Sequence, residues 1–382
     1  MFVNVLAFLL LASTTKAVDN ATLVLPQGTG PFGVSYHEFE LVDSSRVDPF
    51  NASHVRRIMV SRLDPVQKSK CKLTKIPYFL PEVARVQDEI LTGYDYPTGL
   101  WSRFNLEVCK PSKTQHSGSG DNFPIALFGP GLNTTRLFYS SLAQEVASHG
   151  FTVLTIDHPY DTDVVVFPNG DVIYGGRVTS PNKANGSTTS VEHALQVRAQ
   201  DASFVLDTLG TKKPAAIFGQ SFGGAAAATS MLNDKRFRAG INFDGFMFGP
   251  VLKTPLGSPI HPQAFMLWGS DGLNSSSEPS WTAFWDTQSK APYVDYKKEF
   301  SIVNSTHSSY WDLNLLVDVA GIRGNLSETA QYLISPVHGP RVYEILGRYV
   351  SAFFWRALGL KKEDEVLRGK NGKFPEVKLL SG

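Results

Sequence analysis

The sequence has little cysteine, no excess of charge of either sign and no long apolar run. With Cys71 and Cys109 as its only cysteines in 382 residues, it has room for at most one internal disulfide. No clustered His, Asp or Cys has metal-ligand spacing, so neither a metal nor a cofactor is expected. Lys and Arg total 36 against 35 Asp and Glu, a net charge of +1. That balance gives no electrostatic reason to expect nucleic acid or an anionic membrane surface as partner. The basic pairs Arg56-Arg57 and Lys361-Lys362 read as solvated faces. No stretch reaches the roughly 20 apolar residues that span a bilayer, so stable membrane insertion is not expected. Internal repeats and long low-complexity tracts are also absent.

The N-terminus carries an address. An apolar run from Val5 to Ala12 is followed by small residues ending at Ala17, the pattern of a secretory signal peptide over residues 1–17, although its positive leading segment is missing. A signal anchor is the alternative. Asn-x-Ser/Thr acceptors at Asn20, Asn51, Asn185, Asn274, Asn304 and Asn325 suggest a glycosylated surface and hence a secreted, extracellular protein. Asn133 also fits the pattern but falls in a loop assigned below to the active site. In an oxidising compartment Cys71 and Cys109 pair; two buried free thiols are the alternative, because sequence does not give their separation. Residues 18–382 read as a single domain of about 365 residues, and a hydrophobic content of 42% suits a globular core.

From residue 123 onward, short apolar segments alternate with helical spacing. Phe123–Phe128, Phe151–Ile156, Ala215–Phe218, Ala239–Phe243, Ala264–Trp268 and Glu299–Val303 read as strands, the last closing the series. Leu137–Ser148, Val191–Leu209, the run to Leu232, Ser280–Gln288 and Arg341–Leu358 read as helices. Val164–Tyr174 reads as a hairpin around Asn169-Gly170, and Lys110–Asn122 as an exposed loop. Alternation near Ser35–Leu41 and Arg57–Leu63 suggests an antiparallel opening pair. The class is α/β, with a mainly parallel central sheet and helices on both faces.

Gly219-Gln220-Ser221-Phe222-Gly223 matches Gly-x-Ser-x-Gly, a weak signal alone. Its setting strengthens it: the strand Ala215–Phe218 runs into it, and Gly223-Gly224-Ala225 opens a helix. That is the strand–turn–helix of an α/β-hydrolase nucleophile elbow, with Ser221 as nucleophile. The base and acid should follow in the order Ser, acid, His. His261 precedes its strand and His338 precedes a helix, whereas His307 follows Glu299–Val303 at the ligand-binding end of the sheet. His307 is therefore favoured. Asp244 and Asp271 each end a strand at that same end, and pattern alone leaves the acid open between them. The oxyanion donors should be the N–H groups of Phe222 and of Leu132 in the loop Gly129-Pro130-Gly131-Leu132-Asn133.

Several stretches resemble the secreted, plasma-type platelet-activating factor acetylhydrolases and their fungal and bacterial relatives. They are Ile217–Gly224, Phe237–Gly249 with Asn242-Phe243-Asp244-Gly245-Phe246, Leu127–Leu132 and Asp157-His158-Pro159-Tyr160-Asp161. The likeness runs from about Gly33 to Trp355. It implies an α/β-hydrolase fold and a calcium-independent serine esterase that removes short or oxidised acyl groups from the sn-2 position of phospholipids. It further implies Asp244 as the acid beside Ser221 and His307, and Leu132 and Phe222 as oxyanion donors. Gln220 departs from the His of the mammalian plasma enzyme, which bears on subfamily more than on chemistry. No lipid-surface helix stands out. The competing readings are a broad carboxylesterase or polyester hydrolase on the same scaffold, and a catalytically inactive secreted binding protein.

Overall fold

The computed structural model describes residues 22–110, 123–370 and 372–382. The leader 1–17, Asn20 and the loop beyond Lys110 lie outside them. In chain order the elements are β1 (Leu23–Leu25), β2 (Phe32–Asp48), β3 (Asn51–Gln67), β4 (Leu73–Pro77), α1 (Pro81–Thr92), β5 (Phe104–Cys109), β6 (Ile125–Gly129), α2 (Ser140–Ser148), β7 (Thr152–Asp157), β8 (Val164–Val166) and β9 (Val172–Tyr174). There follow α3 (Thr189–Thr208), β10 (Ala215–Gln220), α4 (Phe222–Asn233), β11 (Phe237–Phe243), β12 (Gln263–Gly269), α5 (Pro279–Ser289), β13 (Val294–Ile302), α6 (Leu313–Ala320), α7 (Glu328–Gln331), α8 (Gly339–Ala357) and β14 (Val377–Ser381).

One sheet runs in the order β1-β5-β2-β3-β7-β6-β10-β11-β12-β13-β14, with β4 on β5. Its centre, from β7 to β13, is parallel. The opening pair is antiparallel, as the alternation suggested, but each strand extends over 17 residues. Side chains alternate across the central strands. Phe128, Phe218, Phe243 and Trp268 join one core under α2, α6 and α8. Leu127, Ile217, Phe265 and Leu267 join the other, under α3, α4 and α5. The period of two thus puts both faces of every central strand in apolar surroundings, which is why these segments read as continuous apolar runs.

The C-terminal end of the sheet needs correcting. Glu299–Val303 is only the second half of β13, and β14 pairs with it antiparallel as a further strand. Val377-Lys378-Leu379-Leu380-Ser381 is half-exposed, so its edge position gave it no apolar run to read. Strand β5 and helix α1 were also not anticipated. Cys71, just before β4, and Cys109, at the end of β5, form a disulfide with a Cα–Cα distance of 5.0 Å. Among the described residues no helix is long and apolar enough to cross a membrane.

Candidate active site

Strand β10 delivers Ser221 into a sharp turn before α4, with φ at +55°. A non-glycine residue holds that backbone only at a cost of about 1–3 kcal/mol, offset by its surroundings. The flanking glycines permit it by close approach. A Cβ on Gly223 would stand 1.9 Å from the carbonyl oxygen of Gly129, and one on Gly245 would stand 1.9 Å from that of Ser221. Helix α4 therefore packs directly on the loops after β6 and β11. Of its first amides, that of Gly224 donates to the Ser221 carbonyl at 2.9 Å, whereas the Phe222 N–H has no acceptor among the described residues.

Asp244 follows β11, its φ also positive at +58°. Its carboxylate is almost fully buried, receives the Ser270 N–H on Oδ1, and stands 2.7 Å from Nδ1 of His307 on Oδ2. His307 opens a 3-10 turn, His307–Tyr310, in which the Thr306 N–H donates to Ser309 Oγ at 2.9 Å and the Ser309 N–H donates to the Thr306 carbonyl at 2.9 Å. Its ring is 54% exposed. The structure thus brings Asp244 and His307 together beside the elbow. Asp271 goes elsewhere: it is exposed and accepts from the backbone N–H of Asn304 at 2.8 Å, without touching the His307 ring. His261 lies in a cleft with Lys212 and Arg236 at the opposite end of the strands. His338 bonds Asp318 at the start of α8.

The other nitrogen of His307 has an unexpected partner. Gln220 Nε2 is 3.0 Å from His307 Nε2 and donates to the His307 carbonyl at 3.3 Å. A carbonyl only accepts, so the amide orientation is settled by its partners. The imidazole then carries its proton on Nδ1 toward Asp244 and presents the Nε2 lone pair to Gln220. Among the described residues Ser221 Oγ makes no hydrogen bond. Gln220 Oε1 in turn accepts from Tyr139 Oη at 2.9 Å, and Tyr139 Oη accepts from the Gly131 N–H at 3.1 Å. Burial holds the Tyr139 hydroxyl well above its ordinary pKa, so it remains a donor.

This chain of bonds ends in the loop after β6, which a buried arginine grips from the other side. Arg198 of α3 donates to the carbonyls of Pro130 and Gly131 at 2.5 and 3.2 Å, and its fork holds Asp161 at 2.6 and 2.7 Å. Its guanidinium lies 4.6 Å from the centre of the Phe222 ring. Peptides here are trans, so the Gly131 C=O and the Leu132 N–H point in opposite directions. Holding the carbonyl toward Arg198 turns the Leu132 amide away from it. The neighbouring amides are occupied, Gly131 by Tyr139 and Asn133 by the Asp161 carbonyl at 3.1 Å. Leu132 N–H has no acceptor among the described residues. The segment Asp157–Asp161 acquires its meaning here. Asp157 pairs with Arg136, His158 bonds Asp201 at 2.8 Å, and Asp161 anchors Arg198. Neither Arg198 nor Tyr139 carried a motif, and only their contacts across elements reveal them.

Among the described residues no group of three His, Cys, Asp or Glu side chains converges to hold an ion. Residues 99–166 and 187–363, more than half of the chain, match the family described as platelet-activating factor acetylhydrolase, isoform II. A probable 1-alkyl-2-acetylglycerophosphocholine esterase from Arthroderma benhamiae is 37% identical, the alignment covering 97% of each chain. The platelet-activating factor acetylhydrolase of Cavia porcellus is 24% identical over 65% of this chain and 63% of its own length. Among solved structures, a ferulic acid esterase from Streptomyces cinnamoneus superposes with a TM-score of 0.71 over 94% of this chain and all of its own, at 22% identity. That likeness shows the fold, an α/β-hydrolase sheet. Together the family match and the full-length fungal relative establish that this chain belongs to the isoform II family of platelet-activating factor acetylhydrolases.

Proposed function

We propose that this chain is a secreted serine esterase that hydrolyses short or oxidised sn-2 acyl groups of phospholipids through Ser221, His307 and Asp244. The observation that carries the reading is the buried Asp244 carboxylate 2.7 Å from His307 Nδ1, beside a positive-φ serine. His307 turns its Nε2 lone pair from Gln220 to Ser221 Oγ and takes the hydroxyl proton as the oxygen attacks the ester carbonyl. The oxyanion forms against the N–H groups of Leu132 and Phe222. The imidazolium passes its proton to the departing lyso-phospholipid oxygen, leaving an acyl-serine. Water then repeats the sequence in reverse, releasing the acid. Asp244 keeps the proton on Nδ1 and stabilises the imidazolium.

Support for the substrate class comes from the fungal relative, whose name specifies an acetyl-glycerophosphocholine ester. Secretion is supported by the leader sequence, the Cys71–Cys109 disulfide and exposed sequons at Asn185, Asn304 and Asn325. The test compares wild type with Ser221→Ala on an acetyl-phosphocholine ether lipid, p-nitrophenyl acetate and polyester film. Loss of all turnover in the variant, with the lipid preferred by wild type, is expected. Undiminished turnover in Ser221→Ala overturns the nucleophile, and preference for simple esters or polyester moves the chain to the broad carboxylesterases.

A further inference from the structure

A cavity of about 180 Å³ opens beside the site, lined by Asn133 and Thr134 of the oxyanion loop and by Trp311, four residues past His307. A cavity of roughly 150 Å³ holds a benzene-sized guest, so this one takes a small group and not a long chain. Its other walls include Tyr94, Phe138 and Asp163. Phe138 and Trp311 stand with ring centres 5.2 Å apart. Asp163 accepts from Gln87 Nε2 at 2.6 Å and from the Val164 N–H at 2.8 Å. Among the described residues no Lys, Arg or His pairs with it, so its charge lacks a counter-ion. The Trp311 indole N–H is buried with no acceptor.

That combination selects one kind of ligand. A metal ion needs several oxygen donors, and a primary ammonium needs hydrogen-bond acceptors on three sides. A quaternary ammonium has no N–H to satisfy and is held by aromatic faces and a single carboxylate. We propose that this cavity is a head-group subsite that takes the trimethylammonium of a choline phospholipid, with Asp163 as its counter-charge and Tyr94, Phe138 and Trp311 as its aromatic walls. The proposal rests on the phospholipid-esterase reading above. It places the head group against Asn133 and Thr134, next to Leu132 in the chain.

Two measurements decide it. Burial raises the Asp163 pKa to about 7, so both are made at pH 8, where the carboxylate is ionised. The first is the ratio of kcat/KM for an acetyl ether lipid bearing phosphocholine to that for the same acetyl lipid with a free hydroxyl head. The second is inhibition of p-nitrophenyl acetate hydrolysis by 1-alkyl-glycerophosphocholine below its micellar concentration. In Asp163→Asn the ratio should fall about tenfold, through KM, and the inhibition constant should rise by the same factor. Tyr94→Ala, at a partly exposed position, should weaken inhibition about threefold, as an exposed cation–π contact implies. It carries the test should Asp163→Asn fail to fold. An unchanged inhibition constant in the folded variants overturns the subsite. If wild type hydrolyses neither lipid, the phospholipid-esterase reading fails, while the inhibition constants still decide whether the cavity holds the choline group.

Discussion

Replacing Arg198 by lysine separates bracing from catalysis at the proposed oxyanion loop. The arginine makes four hydrogen bonds at once, two to the Pro130 and Gly131 carbonyls and two to Asp161, all buried. A lysine keeps the charge opposite Asp161, but a single ammonium does not reproduce the planar fork. The Asp161 charge stays compensated, so the stability loss should be limited to about 1–3 kcal/mol, against about 3–5 kcal/mol for Arg198→Met, which strands a buried carboxylate. The catalytic effect should be larger than that stability loss suggests. Freed at its carbonyl, the Gly131–Leu132 peptide rotates, and Leu132 N–H loses its aim. Removing one oxyanion donor outright costs about 10²–10³ in kcat, so partial misalignment should cost about 10–100-fold, with KM changed less than about threefold. The assay is p-nitrophenyl acetate turnover alongside urea unfolding. Binding of a trifluoromethyl ketone, which mimics the tetrahedral adduct, should weaken in step with kcat/KM. A variant that loses the expected stability but keeps kcat and ketone affinity within about twofold refutes the reasoning, leaving Arg198 a structural brace.

Asp244→Asn should lower kcat by about 10³–10⁴ by forcing the wrong His307 tautomer, whereas Asp271→Asn should cost less than about threefold; a larger loss at Asp271 reverses the assignment. Asp312 is buried and accepts from both Tyr78 and Tyr343 hydroxyls and from the Ser141 and Leu142 amides at the start of α2. Asp312→Ala should therefore destabilise the fold by about 3–5 kcal/mol in urea unfolding, and a loss under about 1 kcal/mol contradicts that. Burial raises the Asp312 pKa to about 6. The folded state therefore holds its proton more tightly than the unfolded chain, and this contribution is complete below pH 4 and is lost as pH rises to 6. Relative to Asp312→Asn, which cannot titrate, wild-type stability should fall by about 2–3 kcal/mol across that interval; parallel curves exclude it.

The sequence was most legible where local chemistry and the sheet agree. Ser221 sits at a junction that any strand–turn–helix reading finds, because the glycines around it answer a local steric demand that leaves a local trace. Asp244 was harder. Two aspartates end neighbouring parallel strands at the same edge, and only the depth of each separates them. Asp244 lies under the Ser270 amide and reaches His307, whereas Asp271 stays at the surface and ties down the Asn304 backbone. Pattern does not encode that depth. The opening strands were found but read short, since over 17 residues their burial does not keep a strict alternation and the pairing shifts register between Asp43 and Asp48.

What was illegible has a common physical cause. Arg198, Tyr139 and Gln220 belong to a helix, a 3-10 turn and a strand far apart in sequence, and none has a spacing relation to the others. Yet they join the two functional halves of the site. Arg198 fixes the carbonyl side of the Gly131–Leu132 peptide, and Tyr139 takes the neighbouring Gly131 amide. Gln220 carries that contact to the imidazole of His307. The proposed oxyanion loop and the proposed base therefore share one hydrogen-bonded chain, and a shift at either end disturbs the other. Gln220 occupies the nitrogen that receives the serine proton in the proposed reaction, whose first motion is therefore a change of partner at His307 Nε2. A hydrogen bond of this kind is worth about 1 kcal/mol net, small beside the chemical barrier. On the proposed mechanism such a contact holds His307 in position between turnovers without trapping it, a role that the five-residue motif around Ser221 contains but does not display.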